Sequence, residues 1–101
     1  MKVKAAFIFV APKTDSKQHN AVIETPELIL KIVGVENYKQ GVEVAIELVA
    51  EGIQAIELCA GFGNEGTGMI SKAVAGKAKV GSVKFDCHPG FNFKSGDELF
   101  Q

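Results

Sequence analysis

The chain has 101 residues, 47% of them hydrophobic and 23% charged, with 11 basic against 12 acidic side chains and a net charge of −1. That length allows a single domain, residues 1–101, around one modest core, and the near-neutral charge excludes the electrostatic footprint of a nucleic-acid or anionic-membrane binder. No run is long enough to span a membrane, KAAFIFV is too short for a signal h-region, and two cysteines, Cys59 and Cys87, point to reduced thiols and the cytoplasm rather than a disulfide framework.

Val3 to Val10 is rich in Phe, Ile and Val and ends at Ala11-Pro12, which predicts a first, central strand. Lys13 to Glu27 carries turn formers, His19 and Pro26 with no sustained helical period, and is expected to be a long loop. In so small a domain such a loop is more often functional or interfacial than decorative. Leu28 to Val35 is a second apolar run of strand length, broken only by Lys31.

Asn37 is placed to cap a helix running to Glu51, with Val42, Ala45, Ile46 and Val49 at helical spacing, Glu43, Glu47 and Glu51 on the wet side, and Gly52 just past its end. A third strand, Gln54 to Ala60, follows. A shorter helix spans about Glu65 to Ala75 and closes at Gly76, and a fourth strand is expected over Val80 to Asp86. The tail after Pro89-Gly90, FNFKSGDELFQ, has no regular period but holds Phe91, Phe93, Leu99 and Phe100.

Numbering those strands along the chain, two right-handed parallel crossovers fit a small α/β fold: a mostly parallel four-stranded sheet in the order 2-1-3-4, a flavodoxin-like or Rossmann-like fragment. Both crossovers then run in one direction, which puts both helices on one face. The other face, carrying Glu57 and Lys84 as an expected cross-sheet pair, must be covered by the long loop, by the aromatic tail or by a second subunit.

The stretch with most chemical potential is Gly61, Phe62, Gly63, Asn64, Glu65 and Gly66, a G-x-G-x-x-G spacing that follows a strand, opens a helix and precedes Asp86 by twenty residues. It reads either as a tight turn capped by Asn64 or as a ligand turn whose helix amides meet a mononucleotide, phosphate or carboxylate. A dinucleotide site is disfavoured, since the chain lacks the second half of that fold and Glu65 brings negative charge to the anion position. Loops at the carboxyl ends of parallel strands share an edge, so this turn should converge with Asp86-Cys87-His88. There Cys59, near a helix N-terminus, is the candidate nucleophile, with His88 as its base and Asp86 orienting the imidazole. The bland alternatives are buried cysteines and strand-exit residues bonding a Pro-Gly turn. His19 is either solvated or part of a loop over the site. Two Cys and two His form a ligand set for zinc, but adjacent Cys87 and His88 point to opposite sides of an extended chain, so no metal is expected.

At FIFVAP, EVAIELVAEGIQAIELCAGFGNEG, VKFDCHPG and SGDELF the chain resembles an uncharacterised family of small prokaryotic proteins, a domain of unknown function. GFG and DCHPG are the most specific blocks, and the resemblance implies no activity. Locally, IELCAGFG is similar to the phosphate loops of barrel enzymes, a barrel that a chain of this length cannot form alone. Two functions of different class follow. One is a binding or catalytic site for a small anion or carbonyl compound at the carboxyl edge of the sheet, with no cofactor specified. The other is a non-catalytic homo-oligomeric module, most simply a dimer anchored by the tail aromatics.

Overall fold

The computed structural model describes residues 2–101. Its strands are β1 (Val3–Val10), β2 (Asn20–Glu24), β3 (Leu28–Val35), β4 (Ala55–Leu58) and β5 (Lys79–Ser82), and its helices are α1 (Tyr38–Ala50), α2 (Asn64–Val74) and the short α3 (Gly96–Leu99). They form a five-stranded sheet in the order β2-β3-β1-β4-β5, parallel except for the antiparallel edge strand β2. The expected 2-1-3-4 order survives within it as β3-β1-β4-β5. The corrections are an added strand and an added helix at the two places read as irregular.

The added strand comes from the segment expected to be a loop. All five residues of β2 are exposed, so it carries no inward-facing pattern of its own. It is a strand because the edge of β3 offers unpaired backbone groups, and Ala21 pairs Ile32 while Ile23 pairs Leu30. The fourth strand is shorter than expected, ending at Ser82 rather than Asp86. Its last ladder bond runs from the Val83 N–H to the Leu58 carbonyl at 2.9 Å. Beyond Leu58 the neighbouring strand turns into the glycine-rich loop, leaving Lys84 to Asp86 without a strand partner.

Asn37 caps α1 as expected, its Oδ1 accepting from the Gln40 N–H at 2.9 Å. The cap of α2 differs: Gly63 takes that place with extended backbone and no side-chain bond, and Asn64 is already the first helical residue.

Both helices lie on one face of the sheet, touching each other, with α1 against β1 and β3 and α2 against β5. Beneath them Ala6, Ile8 and Val10 of β1, Val33 and Val35 of β3, and Ile56 and Leu58 of β4 make the core with Leu48, Phe62 and Ile70. Lys31 also belongs to this face, and its ammonium reaches Glu51 at the end of α1 at 2.9 Å.

The opposite face carries the alternate residues: Phe7 and Phe9 of β1, Leu28, Leu30 and Ile32 of β3, and Ile23 of β2. Among the described residues no helix packs on it. Glu57 stands there exposed, beside Phe7 and Gly81. Its expected partner Lys84 lies past the end of β5 and pairs with Asp86 at 2.7 Å instead. The long loop extends the sheet rather than covering it, reaching the face only at its rim, where Thr14 and the Phe9 ring close over Gly34.

Replacing Asn37 by Ala removes the acceptor for the first turn of α1, and urea unfolding is expected to show a loss of about 1 kcal/mol. A midpoint within error of the parent protein would contradict the cap.

Candidate functional site

The glycine-rich turn leaves β4, passes through Gly61 to Gly63 and opens α2, whose first N–H groups lack intrahelical acceptors. The acceptor comes from the far end of the chain. Asp97 Oδ2 accepts from the Glu65 N–H at 3.0 Å, and Asp97 Oδ1 accepts from the Gly66 N–H at 3.0 Å and from the Tyr38 hydroxyl at 2.7 Å. The Tyr38 oxygen in turn accepts from the Gly63 N–H at 3.0 Å and lies 3.0 Å from the Gly61 carbonyl. One carboxylate thus sits on the positive end of a helix, where an anion is favoured.

The glycines make that approach possible. A Cβ on Gly63 would stand 2.6 Å from the Asp97 carboxyl carbon, one on Gly66 would enter the Tyr38 ring, and one on Gly96 would strike the Gly61 carbonyl. The G-x-G-x-x-G spacing therefore marks where the backbone admits its own C-terminal segment. Ser95 caps α3 by accepting from the Asp97 N–H at 3.1 Å, and the Phe100 carbonyl accepts from the Tyr38 N–H at 3.0 Å. Phe100 is buried, and Phe91 meets it edge-on at 5.4 Å between ring centroids.

Electrostatics follow from this geometry. Partial burial works to raise the Asp97 pKa, but the Glu65 N–H, the Tyr38 hydroxyl, the Gly66 N–H and the charge of Lys84 outweigh it and hold the carboxyl below its ordinary value. Tyr38 moves the other way. Burial pushes its hydroxyl well above the ordinary phenol range, opposed by the Gly63 N–H and reinforced by Asp97.

The expected convergence with Asp86-Cys87-His88 is met by Asp86 and Cys87 but not by His88. Phe62, Gly63 and Asn64 line one side of a crevice of about 280 Å³, residues 82–87 line another, and Phe93 with residues 95–98 closes it. Asp86 is among its walls, salt-bridged to Lys84. Cys87 lines it too, exposed and in the left-handed region at φ 57, as is Phe93 at φ 60 with 66% of its surface accessible.

The proposed nucleophile, base and orienter are not linked to one another. Cys59 is half-buried, its Sγ accepting from the Val10 and Gly61 N–H groups at 3.3 Å each. His88 is outside the crevice walls; its Nδ1 accepts from the Gly90 N–H at 2.9 Å, and its ring packs between Phe85 at 4.5 Å and Phe91 at 4.6 Å. Asp86 bonds Lys84 rather than His88. His19 lies at the β2 margin, its Nδ1 accepting from the Asp15 N–H at 2.9 Å. It shares the carboxyl edge with the crevice but stands at the other end of it, about four strand spacings of roughly 4.8 Å away.

Tyr38 and Asp97 are the residues that sequence reasoning missed. One signal was present: Ser95-Gly96-Asp97-Glu98 is a capping-box pattern, which announces a helix start within the tail. Nothing local announces which amides Asp97 would meet.

Among the described residues no helix is long and apolar enough to cross a membrane. A family model described as "Family of unknown function (DUF6506)" matches residues 3–98. No curated protein and no solved structure matches the chain.

Asp97→Ala strands the Glu65 and Gly66 amides and the Tyr38 hydroxyl, and is expected to cost on the order of 2 kcal/mol in urea unfolding at neutral pH. Because the folded-state pKa of Asp97 is depressed, its contribution is complete above the unfolded carboxyl value of about 3.9 and is lost as pH falls through the folded value. The gap between parent and variant should therefore narrow as pH falls below about 4. A gap that stays constant down to acid unfolding would contradict this account of the carboxylate.

Proposed function

The chain belongs to this family of unknown function, and we propose from its geometry that it is a small-molecule binding protein whose site is the crevice between the Gly61–Gly66 turn, the exit of β5 and the docked tail. The observation that carries this reading is the meeting of an exposed Lys84–Asp86 ion pair, the Cys87 thiol and the ring of Phe93 beside a helix N-terminus. Ligands of open α/β sheets bind at this edge, and sites combine apolar walls with a few polar groups. Since Asp97 occupies the Glu65 and Gly66 amides, a small anion or carbonyl compound would be met by the Lys84 ammonium and the Asn64 side chain instead. Catalysis through Cys59, His88 and Asp86 is not supported by any hydrogen bond among them.

The second reading, a non-catalytic homo-oligomeric module, is favoured by a separate observation, the apolar sheet face that no helix of the chain covers. The two readings concern different surfaces and are compatible. Both thiols are free, which suits a reducing cytoplasm.

Inorganic phosphate and benzoate are suitable probes, one offering charge alone and the other charge with a ring for Phe93. At least one of them is expected to shift the amide NMR signals of Gly63, Asn64 and residues 84–87 saturably, and Lys84→Ala should weaken that response about tenfold, roughly the loss of one charge-assisted contact. Saturable shifts elsewhere, or none for either probe, would refute the crevice as the site.

A further inference from the structure

We infer that a second copy of this chain packs on the open face of the sheet, sheet against sheet about a two-fold axis, with Glu57 of each copy meeting Lys79 of the other. This rests on the oligomeric reading above and adds where the copies meet and how they are oriented.

The chain's own candidates for covering that face are engaged elsewhere. The segment between β1 and β3 extends the sheet as β2, and the tail docks on the carboxyl edge through Asp97 and Phe100. What remains is an apolar surface built from Phe7, Phe9, Leu28, Leu30 and Ile32, each partly exposed, with Val3 and Ile23 both 52% accessible at its margin. A sheet whose helices occupy one side needs a second layer on the other when that side is apolar.

The exposed area agrees. A folded monomer of 10.8 kDa is expected to show about 5,500 Å² to solvent. This chain shows 6109 Å², a surplus of about 600 Å². The face itself, with strands about 4.8 Å apart and about 3.3 Å per residue, covers on the order of 500 Å² in projection. The relief of its aromatic and leucine side chains raises that toward the roughly 800 Å² per partner that a specific dimer buries.

Charge selects the occupant and the orientation. The strand positions of the open face hold one acid, Glu57, and one base, Lys79, both exposed. A two-fold interface brings residue i against j and j against i, so a face with one charge of each sign complements itself. Lys79 pairs with Ala55 in the ladder, two residues before Glu57 on β4. With the axis running across the strands at the level of Ile56, each strand crosses its own counterpart antiparallel, and Glu57 of one copy comes level with Lys79 of the other. Both side chains are long enough to meet across sheets about 10 Å apart. On the same axis Phe7 and Ile32 of one copy lie over the Ala5 and Leu30 level of its partner, so apolar meets apolar. The crevice, at the carboxyl edge, stays outside this interface.

The test is the mass of the intact protein by light scattering over micromolar concentrations, with charge reversal as the control of geometry. The parent is expected at twice 10.8 kDa. Glu57→Lys and Lys79→Glu should each raise the dimer dissociation constant at least tenfold, and the two together should restore it. Both sites are exposed, so circular dichroism should report an unchanged fold, and Ile32→Asp provides an independent disruption of the apolar centre. A dimer indifferent to all of these variants overturns the face and leaves the oligomeric reading standing. A 10.8 kDa monomer throughout the range overturns both, leaves the face to a different partner, and does not touch the crevice reading.

Discussion

Asp97 on the amino end of α2 is the contact through which the rest of the molecule is arranged. A carboxylate placed on unpaired helix amides is favoured twice, by the hydrogen bonds and by the helix dipole, and here the Tyr38 hydroxyl adds a third donor. The contact joins the tail to both long helices and, through Tyr38, to the Gly61 and Gly63 backbone. Sequence separations of 31 to 59 residues are closed by one side chain, and what offsets that loop-closure entropy is a site in which the Gly63, Glu65 and Gly66 amides and the Tyr38 hydroxyl each find an acceptor.

That arrangement decides what kind of site the carboxyl edge can be. A glycine-rich turn at a helix start is usually available to an external anion, but the Glu65 and Gly66 amides already face an internal one. Chemical opportunity shifts sideways, to the segment that loses its strand partner after Ser82 and so exposes Lys84, Asp86 and Cys87. The same docking commits Phe100 and most of Phe91 to the chain's own core, leaving Phe93 as the tail's aromatic contribution to the crevice beside Phe62 and Phe85. The tail aromatics therefore serve the fold and the crevice, and the apolar residues left partly exposed are those of β1 and β3.

The one-sided sheet has the same origin. Two crossovers in one direction put α1 and α2 together, and with β1 joined to β3 through a strand instead of a helix, no helix among the described residues is left for the other face. The result is a five-stranded sheet with one apolar face open, and Glu57 stands exposed among those apolar neighbours.

The sequence by itself determined four of the strands, the two long helices, their order and the sidedness of the sheet. The apolar runs Val3 to Val10 and Leu28 to Val35 and the Asn37 cap are local patterns that act within a few residues and can be read where they stand, whereas the buried stripe of α1 is Val44, Ala45 and Leu48, with Ile46, expected on it, exposed. It also located the carboxyl-edge crevice, because parallel strands bring their exits together whatever their side chains. Only the tertiary structure decided that Asn20–Glu24 is a strand, that the Gly61–Gly66 turn receives Asp97, and that His88 is not among the crevice walls. β2 has no burial pattern and exists through the edge it pairs with. Asp97 has no partner within its own helix turn apart from Ser95, and His88 packs between Phe85 of the β5 exit and Phe91 of the folded tail. These features depend on hydrogen-bond and packing partners tens of residues away, or on chain segments that take shape only once the sheet exists, and so no local pattern encodes them.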